Sequence, residues 1–387
     1  MNMAASAHPQ MSEAPEHSPR IGFRFGLDAA RVWPCLLAGC RPFRDGTRFE
    51  ALPDLRYWRD GAHIRAPANE LPNDNDIDVQ AYLRRLRRAH PRADIELRVD
   101  EPLILDAPLW ERARGLLREL LGGVGVPISP VTTALVLSCR ASPMAAAKRA
   151  AAGDILVQVL LYGEMRWRGG AAEYRLRPGD AIRLLAHGHA MRCEAARALW
   201  LELRIPSFAA DLETMIENLM TRLLSSAREE EDTPHDLPFP PPRRALSPMP
   251  WMQRLAEELS ANRTHAALQQ ALEISWMMRL STHGLEPPVP VANVARLRRT
   301  DRVRLCVESV VRRRVDRRNW VWAVNGHPLA MEDSPALSAV WSRLCDGRTH
   351  RVVDLLRTTG PDRPGPEVAT WLQRMYALRG LARVGED

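Results

Sequence analysis

The sequence predicts an α+β protein built around a small antiparallel β-barrel or sandwich. Three observations carry that prediction. Between Val131 and Ile205 the apolar residues run in short stretches, ALVLSC, DILVQVLLYG and ALWLELRI, bounded by Gly and Pro turns. On either side of this region the apolar residues recur with the period of helices. At 387 residues, 45% hydrophobic and 26% charged, the chain is long enough for two or three domains with a sizeable core.

The opening MNMAASAHPQMSEAPEHSPR is polar, contains proline and lacks an apolar h-region. It predicts a disordered tail over 1–20 and no secretory signal. Residues 21–70 read as irregular α/β. Asp78 to Arg88 reads as a helix with Val79, Tyr82, Leu83 and Leu86 on one face, ended by Pro91. Ile95 to Val99 alternates like a strand. Asp106 is placed to cap a second helix, with Leu109, Ala113, Leu116, Leu117 and Leu120 as its buried stripe. Gly122, Gly123 and Gly125 stop it.

Strands follow at Ala134–Cys139 and Asp154–Gly163. Gly169-Gly170 marks a hairpin between Arg166–Arg168 and Glu173–Leu176. A Pro-Gly-Asp turn then leads into Ala181–Leu185, His187 and His189, and Ala198–Ile205 closes the set. Leu212, Met215, Ile216, Leu219 and Leu223 mark a helix beyond it. Residues 227–250 are acidic, then dense in proline, and read as a linker. Trp251 to His283 is helical, with Leu255, Leu259, Leu268, Leu272, Trp276 and Leu280 as apolar positions suited to packing across a dimer.

In the last hundred residues Val303–Val315 reads as a helix on Val303, Val307, Val310 and Val311. Trp320–Val324 reads as a strand ended by the Asn325-Gly326 turn. Ser334 and Thr349 are candidate caps for the next two helices, Pro366 opens a longer one, and LARV is a short strand. Helix, helix, longer helix and strand is the order of a winged helix. The predicted organisation is therefore a tail (1–20), a barrel domain with N-terminal helices (21–226), a linker (227–250), a helical dimerisation region (251–290) and a winged-helix-like domain (291–387).

The net charge of +7 invites a nucleic-acid reading. Lys148 is the single lysine, however, so the basicity is an arginine bias of the kind GC-rich coding produces. The densest basic stretch is Arg296–Arg318, suited to an acidic partner, RNA or phosphate, or equally a solvated helix end. The six cysteines, Cys35, Cys40, Cys139, Cys193, Cys306 and Cys345, include no C-x-x-C pair. They suggest reduced thiols and a cytoplasmic location, and no apolar run is long enough for a membrane span. No Walker loop, G-x-G-x-x-G, G-x-S-x-G or H-E-x-x-H pattern is present.

Two phrases carry a resemblance. GEMRW, Gly163 to Trp167, resembles a Gly-x-Lys-x-Trp strand, and LRPGDAIRLLAHGHA, Leu176 to Ala190, resembles a Leu-x-Pro-Gly-Asp strand ending in a metal-binding histidine. Both belong to the JmjC-type ribosomal-oxygenase group of bacterial cupin-like proteins, whose order of parts the chain also resembles over most of its length after residue 100. The resemblance implies a cupin-like double-stranded β-helix (jelly-roll) barrel, a helical dimerisation region and a C-terminal winged helix. It implies protein side-chain hydroxylation using Fe(II) and 2-oxoglutarate.

That chemistry needs two histidines and a carboxylate on one face of the metal. In the family a His-x-Asp pair supplies two of them. Here the matching stretch is SPMAAAKRAAAGD, which has no histidine, and the resemblance puts the two ligand positions near Arg149 and Ala151. A protonated guanidinium cannot ligate iron, and alanine has no ligand atom. The remaining metal candidates are His189, His187 and Asp154, the last also readable as a strand-start residue. Arg166 and Tyr162 are the candidates for the distal carboxylate of 2-oxoglutarate, Arg166 being equally readable as an exterior strand residue. No catalytic residue is assigned.

Three functions are therefore expected. The first is a diverged, non-catalytic binding or accessory module without a cofactor. The second is an active Fe(II)/2-oxoglutarate hydroxylase with a relocated metal site. The third is a cupin and winged-helix DNA-binding regulator. The expected partners are a protein or peptide, a second copy of the chain, and nucleic acid through Arg296–Arg318, with no membrane.

Overall fold

A computed structural model describes residues 20–21, 26–47, 53–122, 125–127, 129–139, 144–145, 154–169, 172–185, 192–206, 262–291, 294–314, 319–357 and 366–385. The readings of the 1–20 tail, the 212–223 helix, the 227–250 linker and the first part of the 251–283 helix lie outside the described residues, apart from Arg20. The chain divides into two compact units, one drawn from residues 1–47, 55–98 and 134–204 and the other from 48–54, 99–133 and 205–387. Helices and antiparallel sheets occur in both. Among the described residues no helix is long and apolar enough to cross a membrane.

The first unit contains β1 (Arg20–Ile21), α1 (Ala29–Arg44), β2 (Asp54–Arg59), β3 (Ala62–Ile64), α2 (Val79–Ala89) and β4 (Ile95–Asp100). It continues with β5 (Thr132–Cys139), β6 (Met144–Ala145), β7 (Ile155–Gly163), β8 (Met165–Gly169), β9 (Ala172–Leu176), β10 (Ala181–Leu185), β11 (Arg192–Glu194) and β12 (Arg197–Ile205). An eight-stranded sheet has the order β1-β10-β7-β12-β5-β4-β2-β3, and a four-stranded sheet the order β6-β11-β8-β9. One core joins them. Leu156, Leu160, Ile182 and Trp200 come from the larger sheet, and Met165, Trp167, Leu176 and Cys193 from the smaller.

Local chemistry explains the joints. Asp78 caps α2 by accepting from the Ala81 N–H at 2.6 Å. The glycine of GEMRW has a steric reason of its own. Gly163 adopts φ +84°, and a Cβ there would lie 1.9 Å from the Arg197 carbonyl oxygen, so no side chain fits where β7 meets β12. The 21–70 region is more regular than its sequence reads. Pro34 and Pro42 sit inside α1, yet Asp28 caps the helix and Val32, Trp33, Leu36 and Cys40 are buried along it. Burial of that face outweighs the lost backbone donors.

The second unit holds α3 (Ala107–Leu121), α4 (Asn262–Thr282), β13 (Arg302–Leu305), β14 (Val310–Arg314), β15 (Asn319–Val324) and β16 (His327–Glu332). After these come α5 (Pro335–Leu344), β17 (His350–Arg351), α6 (Val352–Arg357), α7 (Pro366–Ala377) and β18 (Leu381–Arg383). Its sheets are β17-β13-β18 and the meander β14-β15-β16. Asp106 and Ser334 cap α3 and α5 as expected.

The helix expected over Val303–Val315 is instead two strands joined by a 3-10 turn. Val303 and Leu305 are buried with period two, while Val307, needed for the helical stripe, is 60% exposed. A run rich in β-branched residues fits both periods, and the available sheet edges decided it. Thr349 caps nothing, because His350 and Arg351 extend into β17 and the helix starts at Val352. Helix α4 packs Ile274, Met277 and Met278 against Val311, Val321 and Ala323. Of the expected α4 stripe, Leu268, Leu272 and Leu280 are half-buried, and Trp276 is exposed.

Arg114 of α3 ties this unit together. Its Nη1 donates to Ser309 Oγ at 2.8 Å and to Asn325 Oδ1 at 3.1 Å, and its Nη2 pairs with Glu111 at 2.5 Å. Asn325, at φ 46° in the hairpin turn, donates onward to the Leu378 carbonyl. Arg114→Leu would orphan these buried acceptors and should cost about 2–4 kcal/mol in urea unfolding. Arg118→Leu, which removes an exposed pair with Glu308, should cost less than about 1 kcal/mol.

Glu101 forms a second buried joint. It sits at φ 53°, donates its N–H to the Thr133 carbonyl, and accepts from the Thr133 N–H at 2.8 Å and Oγ at 3.0 Å. Burial pushes its carboxyl up to about 8, against the lowering effect of the Thr133 bonds. A folded-state pKa raised above 4.5 means the folded chain holds a proton that the unfolded chain has released. Stability is then full below about pH 4.5 and falls as pH rises towards 8. Glu101→Gln should flatten that decline, measured as the unfolding midpoint from acid to weakly alkaline pH.

Candidate functional site

Strand alternation sets which side chains face the shared core of the first unit. On β7, Leu156 and Leu160 face it, which puts Gln158 and Tyr162 on the same side, with Asp154 in step just before the strand. On β12, Ala198 and Trp200 face it, and Glu202 and Arg204 continue the row. The face is apolar towards Trp200 and Leu160 and charged towards Asp154 and Arg204.

The charged end is paired internally. Glu202, 7% exposed, accepts from Arg98 Nη1 at 2.6 Å and from Gln158 Nε2 at 3.0 Å. Asp154, 1% exposed, accepts from Arg204 Nε at 2.5 Å. Gln158 Oε1 and Trp200 Nε1 are buried without a hydrogen-bond partner among the described residues. An acceptor or donor left so costs roughly 1–3 kcal/mol.

The sequence candidates fall in different places. Tyr162 shares a face with Asp154 but lies eight residues along β7, roughly 26 Å away at strand rise. Arg166 lies between buried Met165 and Trp167, so it points to the opposite face of β8. There it neighbours Arg175 and Glu194 across the ladder and pairs loosely with Glu164 at 3.9 Å. His187 and His189, like Arg149 and Ala151, lie outside the described residues. The β10–β7 ladder nonetheless sets Leu185 opposite Ile155, so the strand leading to both histidines ends beside Asp154. Among the described residues no three His, Cys, Asp or Glu side chains cluster as a metal set.

Sequence reading missed Arg98, Gln158, Glu202 and Arg204. A signal was present for two of them. Gln158 and Glu202 are single polar residues inside continuous apolar runs, where burial requires a partner.

No family model matches the chain, and no curated protein does. Among solved structures it is similar to the ribosomal oxygenase YcfD of Escherichia coli, over 89% of both chains at 14% identity with a TM-score of 0.42. The same enzyme in complex with cobalt and 2-oxoglutarate aligns over 75% of this chain and 79% of that one, at 15% identity and a TM-score of 0.38. A cupin superfamily protein of Desulfitobacterium hafniense aligns over 20% of this chain and 69% of its own, at 19% identity and a TM-score of 0.18.

The Asp154–Arg204 pair can be dissected directly. Arg204→Met removes a guanidinium partner, itself one-third exposed, from a carboxylate that is 1% exposed, and should cost about 1–3 kcal/mol. Asp154→Asn with Arg204→Met should recover most of that loss. A double variant no more stable than Arg204→Met, by denaturant midpoint, would show that the pair does not couple.

Proposed function

We propose that this chain uses an oxygenase-like jelly-roll barrel as a non-catalytic binding or accessory module. The observation that carries this reading is the Asp154–Arg204 ion pair. Asp154 is the one carboxylate near the position where the resemblance expects a metal ligand, and a guanidinium holds it. A second cation beside a divalent metal raises the energy of both, so the donor set as placed does not fit Fe(II). The KRAAA stretch at 148–152 points the same way, with no ligand-forming side chain near where the resemblance expects two. Arg166, on the outer face of β8, is likewise poorly aimed for 2-oxoglutarate. The orphaned Gln158 Oε1 and Trp200 Nε1 suit a scaffold that receives a polar group inside its core rather than one that holds a metal.

The rest of the reading follows the predicted organisation. The two sheets of the first unit would form the barrel. The half-exposed stripe of Leu268, Leu272 and Trp276 on α4 suits a second copy of the chain. Helices α5, α6 and α7 with β13, β17 and β18 suit a winged helix. DNA binding by Arg296–Arg318 is less favoured, because Arg313 pairs with Glu273 at 2.9 Å and Arg314 with Asp333 at 2.6 Å.

A second reading, an oxygenase with a relocated metal site, is favoured by one observation, the end of β10 beside Asp154. The two separate cleanly. Protein purified without oxygen and supplied with Fe(II) and 2-oxoglutarate should hold no iron above background and release no succinate. Stoichiometric iron that is lost in His189→Ala would establish the oxygenase and overturn the module.

A further inference from the structure

The meander β14-β15-β16 has two unlike faces. Arg312 stands opposite Trp322 and Arg314 opposite Trp320, so these four side chains share one face. Val311, Arg313, Val321 and Ala323 share the other, towards α4. On the first face the Arg312 guanidinium lies 4.7 Å from the Trp320 ring centroid, 5.3 Å from Trp322 and 5.0 Å from Trp341 of α5. The rings brace one another. Trp322 meets Trp341 at 4.7 Å and the buried Trp371 of α7 at 5.2 Å, both edge-on.

The three neighbouring arginines are treated differently. Arg313 has Glu273 and Arg314 has Asp333. Arg312 makes no ion pair or hydrogen bond among the described residues, although it is half-buried. Burial also lowers its pKa, against the raising effect of the nearby Cys345 thiol and Asp333 carboxylate. Tryptophan faces hold the cation, but they use its π surface and leave the in-plane N–H fork unspent. An aromatic clamp of this kind fixes an otherwise flexible side chain before any ligand arrives.

We propose that Arg312, held by Trp320, Trp322 and Trp341, is a docking point for a carboxylate side chain of an acidic partner peptide. A planar carboxylate matches the guanidinium fork with two parallel hydrogen bonds. A nucleic-acid backbone fits less well. It is gripped by several unpaired cations in a row, and here Arg313 and Arg314 on either side of the strand are already neutralised. The proposal is independent of the barrel and its metal chemistry, since every residue in it belongs to the second unit.

The test uses the full chain, a fluorescein-labelled hexaglutamate peptide and a labelled single-stranded oligonucleotide, with fluorescence anisotropy at low salt. The peptide should bind, and Arg312→Gln should weaken it about tenfold. Arg312→Lys keeps the charge and the fold but lacks the planar fork, and should weaken it by a similar factor. Arg313→Gln, on the opposite face, should leave affinity within about twofold. Absence of peptide binding would overturn the proposal, as would affinity unchanged in both Arg312→Lys and Arg312→Gln. Arg312-dependent binding of the oligonucleotide without the peptide would overturn it in favour of a phosphate site.

Discussion

Glu202 places a carboxylate on the apolar inner face of the larger sheet, and the polar end of that face is arranged around its charge. Arg98 reaches it from β4 and Gln158 from β7, so the contact runs across the sheet from strand to strand. Two residues further along β12, Arg204 repeats the arrangement with Asp154. Two carboxylates and two guanidiniums neutralise one another in a region largely removed from water. Such groups add little stability over apolar residues of the same size, but each becomes costly once its partner is gone. The set is therefore stable only when complete. That constraint ties the ends of β4, β7 and β12 together and leaves the Asp154 carboxylate engaged.

In the second unit two arginines show opposite ways of keeping a cation out of bulk water. Arg114 is satisfied by hydrogen bonds, and its partners Ser309 and Asn325 lie beside the β14–β15 meander and its hairpin turn. Through them one side chain of α3 positions the meander and, by way of Asn325, the end of α7. Arg312 is held by indole faces instead, with its donors unspent. The first arrangement consumes hydrogen-bonding capacity to build the fold, and the second conserves it.

Much of the secondary structure was legible in the chain. Asp106 and Ser334 cap the helices they were read to cap, since a short polar side chain before an apolar stripe has few other uses. The strands from Thr132 to Ile205 follow their apolar runs. Other readings failed, each for a physical reason. Proline counts obscured α1, whose buried face tolerates Pro34 and Pro42. Valines spaced to suit either period turned the 303–315 stretch into an expected helix, whereas neighbouring strands made it β13 and β14. The GEMRW glycine was read as part of a family phrase, and Gly163 also has a plain steric cause in the Arg197 carbonyl.

The candidate site was legible only in part. The sequence shows that SPMAAAKRAAAGD, the stretch where the resemblance expects a metal-ligating pair, holds no histidine, because ligand chemistry is a property of the side chain itself. The same holds for the local caps, turns and periods, which depend on residues within a few positions. What Asp154 does with its charge depended on Arg204, fifty residues away, and on which face of β7 each side chain takes. Likewise only the sheet registers set Arg166 apart from Asp154 and Tyr162, and only the packing of α5 on the meander brought three tryptophans to Arg312. Charges and rings act through space at a few ångströms, and the tertiary structure alone decides which residues come within that reach.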